Sequence, residues 1–213
     1  MQKTKKRKWM WIIGSIVALL ILGIVAAMVI VHNSQFGFAR PVSDPEKALR
    51  MQVIAAAETW LGCKEADNSH IPIIDLYNDH EPLAQGYLVK YEDNWCATFG
   101  SVAAIQAGLT DIIPTECSCE RQINLFMELG CWEEDDAYIP LPGDYIFYCT
   151  DNLRPGDCTG WSNHVGIVVG TRFGYIKVIE GNADEQVTYR YIPINDVTIR
   201  GYGLPDYASK AEN

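Results

Sequence analysis

The chain has 213 residues, 48% hydrophobic and 21% charged, which suits one domain with a buried core and a further segment besides. Its formal charge of −10 is unevenly spread: Lys3, Lys5, Lys6, Arg7 and Lys8 open the chain with no acidic residue among them, leaving 12 basic against 27 acidic residues beyond. An acidic body of this kind offers no basic face for phosphates, so no nucleic acid is expected as partner.

Trp9 to Val31 are 23 residues without a charge. As a helix they reach about 35 Å, enough to cross a hydrocarbon core of about 30 Å with some tilt. A cleaved signal peptide shares the basic-then-apolar layout, but its apolar run is usually about 7–15 residues and ends in a small-residue cleavage site. Here no clear site follows, and Ala26-Ala27-Met28 lies inside the run. The reading is a cytoplasmic basic tail (1–8), a transmembrane signal anchor (9–31) and, by the positive-inside rule, all later residues outside the cell. That makes a single-pass cell membrane protein with an extracellular domain.

Residues 32–43 read as a linker. Ser43-Asp44-Pro45-Glu46 then has the chemistry of a helix start, with Ser or Asp as cap, Pro in the first turn and Glu46 placed for a capping box. That helix runs to about Leu61 with Leu49, Val53, Ala56, Ala57 and Trp60 on one stripe, closed by Gly62. Residues 63–94 are polar and expected to be mostly irregular. A second helix begins near Cys96 and stops at Gly108, and a third runs from about Glu120 to Leu129, before Gly130. Strands follow at Tyr145–Cys149, Val165–Val169, Tyr175–Glu180 and Val187–Ile192. Helices followed by short strands and tight turns imply an α+β domain, with N-terminal helices packed on a small antiparallel sheet and preceded by one transmembrane helix.

Seven cysteines are an odd number, and outside the cytoplasm disulfides persist. Cys63, Cys117, Cys119, Cys131, Cys149 and Cys158 can pair and leave Cys96 over; six small, partly buried thiols are the plainer alternative. Cys149 and Cys158 bracket a loop of Asp, Asn, Pro and Gly and form the first candidate pair.

Cys96 opens a helix, where unpaired N–H groups and the helix dipole favour a thiolate. Taken alone, a cysteine at a helix start is more simply a buried one. Further along, Gly170–Gly174 reads as a five-residue hairpin loop, with Val169 opposite Tyr175. Counting back, Ile167 opposes Lys177 and His164 opposes Glu180, with Cβ atoms about 5 Å apart on one face. Asn182 projects to the same side if the chain stays extended through Gly181. An imidazole beside a carboxylate, with a thiol upstream, is the constellation of a general base held next to a nucleophile. His70 and His80 are competitors as base but lie in the irregular segment.

Four stretches in this order resemble a CHAP domain, the cysteine- and histidine-dependent amidohydrolase/peptidase module of the NlpC/P60-like papain-fold group. They are Trp95-Cys96-Ala97-Thr98-Phe99, Pro142-Gly143-Asp144-Tyr145-Ile146-Phe147, His164-Val165-Gly166-Ile167-Val168 and Ile179-Glu180-Gly181-Asn182. The closing Arg200-Gly201-Tyr202-Gly203 is also similar. The resemblance implies a papain-like catalytic domain over 44–208, with Cys96 as nucleophile, His164 as base and Glu180 and Asn182 at the third and fourth positions. It implies cleavage of peptidoglycan amides, by an N-acetylmuramoyl-L-alanine amidase or a stem or cross-bridge endopeptidase. Trp95 is expected to shield the site or wall the substrate cleft, or else simply to pack. Backbone N–H groups at the helix start, that of Cys96 included, would hold the oxyanion. Some members of the family bind calcium, but Asp93, Asp151 and Asp157 form no recognisable ligand loop, so neither metal nor other cofactor is expected. The acidic surface suggests recognition through the stem peptide. Two other functions stay open: an inactive domain that binds cell wall or a partner protein, and a protease of surface proteins.

Overall fold

A computed structural model describes residues 36–150 and 158–212. They form an α+β unit with five α-helices and one six-stranded antiparallel sheet. The helices are α1 (Asp44–Glu58), α2 (Ile71–Asn78), α3 (Cys96–Ala107), α4 (Cys119–Glu128) and α5 (Tyr207–Glu212). The strands are β1 (Trp132–Glu133), β2 (Tyr145–Tyr148), β3 (His164–Arg172), β4 (Tyr175–Ala183), β5 (Gln186–Pro193) and β6 (Ile199–Gly203), in the spatial order β1-β6-β2-β3-β4-β5.

One part of the expected fold class is corrected. Among the described residues no helix is long and apolar enough to cross a membrane, so the described fold is α+β without a membrane-crossing helix. The span expected at 9–31 lies outside the described residues.

The start of α1 follows its cap chemistry only in part. Ser43 accepts from the Glu46 N–H at 3.3 Å, as an N-cap should. The Glu46 carboxylate does not reach back to complete a capping box. It turns instead to Arg50, whose Nε donates to it at 2.8 Å. Arg50 is buried because its other partner is Asp144, at 2.7 Å, and it also donates to the Pro142 carbonyl. Asp144 in turn accepts from the Leu141 N–H at 2.7 Å. Pro142-Gly143-Asp144 is therefore a structural clasp that pins the turn before β2 onto α1. Gly143 belongs there because its φ is +87° and a Cβ would stand 3.2 Å from the Arg50 Cα.

α3 is buried on nearly every side, which its small residues allow: Ala97, Gly100, Ser101, Ala103, Ala104 and Ala107 let neighbours come close. Tyr145 donates to the Gly100 carbonyl at 2.8 Å, tying β2 to the middle of this helix. Side chains of the sheet alternate between two apolar clusters. Tyr145, Phe147, Val165, Ile167 and Ile179 pack with the helices, whereas Ile146, Tyr148, Val168, Val178 and Tyr202 form a second cluster. α2 falls inside the segment expected to be irregular; Ile73, Ile74 and Tyr77 bury one side of it, and Pro72 sits in its first turn.

Candidate active site

Three of the expected residues meet. Cys96 is the first residue of α3, His164 the first of β3, and Glu180 lies in β4. His164 Nε2 is 3.1 Å from Glu180 Oε2, and both side chains are buried. The imidazole is close enough for its hydrogen bond and charge to act on the Cys96 thiol. Since Nε2 is taken by Glu180, Nδ1 is the nitrogen left for the sulfur.

The route by which His164 meets Glu180 differs from the expected hairpin. The loop is two residues, Phe173-Gly174, with Arg172 opposite Tyr175. Carried on unbroken, that register would put His164 and Glu180 on opposite faces, because their offset from opposition would be odd. A bulge at Val169 removes one residue from the count, so that Ile167 opposes Ile179. The face is restored, and His164 and Glu180 become diagonal neighbours rather than an opposed pair. Gly166 leaves room for the diagonal: a Cβ there would meet Val178 Cγ1 at 2.3 Å and Glu180 Cγ at 3.2 Å.

Asn182 does not join them. The chain does not stay extended past Gly181, because Asn182 takes a left-handed φ of 55°. In the orientation that matches its neighbours, its amide oxygen accepts from the Trp95 N–H at 3.2 Å and its NH2 group donates to Glu65 at 3.3 Å. Trp95 is fully buried and its indole N–H donates to the same Glu65 carboxylate at 2.9 Å. Both residues thus hold the backbone ahead of the nucleophile. Asn182 does not reach His164 as expected, and Trp95 packs in the core with no surface open to a substrate. Gly181 completes this joint, since a Cβ would lie 2.4 Å from Phe99 Cβ and 2.8 Å from Trp95 Cζ3. It is what lets the start of α3 press onto β4. The competitor His70 is a core residue, buried against Trp95 with Nε2 3.0 Å from the Tyr91 carbonyl. Among the hydrogen bonds of the described residues, none joins it or His80 to Cys96.

Comparison with family models, curated proteins and solved structures returns no match. The chemistry therefore rests on the residues themselves.

The local charges suit a thiolate–imidazolium pair. The Cys96 thiol is held well below its usual range, chiefly by a hydrogen bond from Cys119, then against burial by the bond and charge of His164. Burial works against a charged His164, but its bonds to Cys96 and Glu180 outweigh it and push the imidazole up to about 9. Glu180 is held below the ordinary carboxyl value: burial opposes this, and the hydrogen bond and charge of His164 prevail. No side chain caps α3, so its first N–H groups are not diverted from an anion at its start.

Several contributors were not foreseen. Arg190 donates through Nε to both Glu180 oxygens, at 2.8 and 3.1 Å, from two residues along β5. Tyr148 sets its ring edge-on to His164, with centroids 5.3 Å apart. Glu120 accepts from the Ser162 N–H at 2.6 Å and from its hydroxyl at 3.0 Å, fixing the loop that leads into His164. Cys119 stands with Sγ 3.6 Å from Cys96 Sγ. Alternation along β5, which sets Arg190 on the face of Thr188 opposite Glu180, was the sequence signal for the first of these.

Cys149 and Cys158 are disulfide-bonded, while Cys63, Cys96, Cys117, Cys119 and Cys131 are free. Cys96 is thus not the single cysteine left over. Among the described residues, no three His, Cys, Asp or Glu side chains converge in a way that would hold a metal ion. Asp93 is committed to the Tyr87 hydroxyl and the Lys90 N–H; Asp151 and Asp157 lie outside the described residues.

Proposed function

We propose that this protein is a cysteine amidohydrolase or peptidase that cleaves amide bonds of cell-wall peptidoglycan outside the cytoplasm. The observation that carries the reading is Cys96 at the uncapped start of α3, paired with an imidazole that a buried carboxylate holds from behind. The substrate class is supported by the resemblance of the four motifs to the CHAP domain. A location outside the cytoplasm is supported by the Cys149–Cys158 bond and by the basic-then-uncharged N-terminal sequence.

In this mechanism the Cys96 thiolate attacks the amide carbonyl carbon, and the oxyanion is met by N–H groups at the start of α3. Imidazolium Nδ1 gives its proton to the leaving amine as the C–N bond breaks. Water then attacks the thioester while His164 takes its proton, and Cys96 departs as thiolate. Glu180 orients the ring and stabilises the imidazolium, and Arg190 keeps Glu180 ionised and in place. Asn182 and Trp95 support the backbone and take no chemical part. The acidic body favours the stem peptide, rather than the anionic wall polymers, as the recognised element.

Purified sacculi incubated with the full-length chain should release muropeptides bearing new free amines, and their masses identify the bond. An unchanged muropeptide profile would refute the peptidoglycan reading.

A further inference from the structure

The second cysteine at the site has no part in the mechanism above. Cys119 is the first residue of α4, buried, with its sulfur 3.6 Å from that of Cys96. A disulfide needs about 2.05 Å, so the two sulfurs are about 1.5 Å from bonding distance. Each cysteine heads a helix, where a thiolate is stabilised. Glu120, the next residue, grips Ser162 and so couples the start of α4 to the loop entering His164. Among the described residues no other free cysteine is in hydrogen-bonding contact with Cys96.

We propose that Cys119 is a resolving cysteine, and that oxidation of Cys96 by hydrogen peroxide is captured as a reversible Cys96–Cys119 disulfide. The Cys96 thiolate attacks one peroxide oxygen; the O–O bond breaks, an S–O bond forms, and hydroxide leaves to be protonated to water. The sulfenic acid on Cys96 is then attacked by the Cys119 sulfur. The S–S bond forms, the S–O bond breaks, and hydroxide departs as water with the proton from Cys119. Overall, two thiols are oxidised to one disulfide and one peroxide is reduced to two waters. While Cys96 carries a negative charge, Cys119 stays protonated, its hydrogen bond to that sulfur pushing its own ionisation up, with burial adding to it. Conversion of Cys96 to a neutral sulfenic acid lifts that restraint, which times the second attack to follow the first.

The consequence for activity rests on Cys96 being the nucleophile; the sulfur chemistry does not. With the disulfide in place no thiolate is available, and a dithiol reductant restores it. The pair also spares Cys96 from the irreversible sulfinic acid.

Full-length chain is exposed to hydrogen peroxide, its free thiols are blocked with N-ethylmaleimide, and the unreduced digest is mapped by mass spectrometry. The expected result is a cross-linked peptide pair containing Cys96 and Cys119, with alkylation of both lost and then regained after dithiothreitol. In Cys119→Ser, peroxide should give a dimedone-reactive sulfenic acid at Cys96 that proceeds to sulfinic acid and is not recovered. Sulfinic acid at Cys96 in the wild type as fast as in Cys119→Ser, with Cys119 still alkylable, would overturn the proposal while leaving the nucleophile intact. A Cys96 bonded to Cys63, Cys117 or Cys131 would overturn it too. A Cys96 inert to peroxide would sink both the resolving role and the reading of Cys96 as a reactive thiolate.

Discussion

Replacing Glu180 by glutamine keeps the shape of the side chain that backs His164 and removes its charge. The imidazole is raised from 6.5 to about 9, so its contacts with Cys96 and Glu180 together outweigh the cost of burying its charged form. A charge pair at 3.1 Å is worth about 5 kcal/mol at an effective dielectric of 20, so the carboxylate supplies a large share of that offset. Glu180→Gln should therefore lower the His164 midpoint by about 1–3 units, with the contact to Cys96 still holding part of the rise. The Cys96 thiolate loses support in turn, and its alkylation should begin at a higher pH. Loss of stability should stay at about 1–3 kcal/mol, because Arg190, left without its partner, has a side chain 41% exposed and can hydrate. Histidine-labelled NMR titration reads the first effect and the pH dependence of iodoacetamide labelling at Cys96 reads the second. A His164 midpoint equal in both proteins would refute the reasoning.

Gly181→Ala forces a methyl against Phe99 and Trp95, at 2.4 and 2.8 Å, and should cost about 1–3 kcal/mol in urea unfolding while slowing Cys96 labelling as α3 is pushed off β4. Asp144→Ala leaves the buried Arg50 with Glu46 and the Pro142 carbonyl as its remaining partners and should cost about 1–3 kcal/mol, with a matching drop in Tm by calorimetry. The pH dependence of stability has two opposing parts. His164 is raised, so its stabilisation is full below about 6.5 and lost as pH rises through about 9. Cys96 is depressed, so its stabilisation is full above its unfolded value and lost as pH falls through the folded one. Between about 6.5 and 9 the folded pair and the unfolded chain each hold one proton, so wild-type urea stability should be flat there. In Cys96→Ala His164 loses the bond and charge of Cys96 while burial still opposes its charged form, so its midpoint should fall below the wild-type value in histidine-labelled NMR titration; an unchanged midpoint would be the unexpected result.

The helices were legible where caps and stops are chemically distinct: α3 begins at Cys96 and ends before Gly108 as its sequence indicates, and α1 opens at the Ser43 cap. α2 was missed because eight residues with a proline at their second position give too short an apolar pattern to stand out among polar neighbours. The pairing of His164 with Glu180 was legible for a reason that differs from the observed geometry. Side chains repeat every two residues, so a register two residues from the true one still returns the right face. The bulge at Val169, on which the face depends, leaves no mark in a run of valines and glycines. A second irregularity between Glu180 and Ala183 turned Asn182 away, again with no local signal beyond Gly181 itself. Arg190 and Cys119 reach the site through the β4–β5 pairing and through helix packing, and such contacts are set by tertiary structure rather than by spacing along the chain.

The central claim is that Cys96 attacks an amide carbonyl of peptidoglycan. Full-length chain mixed with muropeptide substrate, quenched in acid and mapped by mass spectrometry should carry the acyl half of the substrate on the Cys96 peptide. Cys96→Ala should show neither that adduct nor amine release. Amine release by Cys96→Ala at the wild-type rate, or an acyl adduct on another residue, would contradict the account.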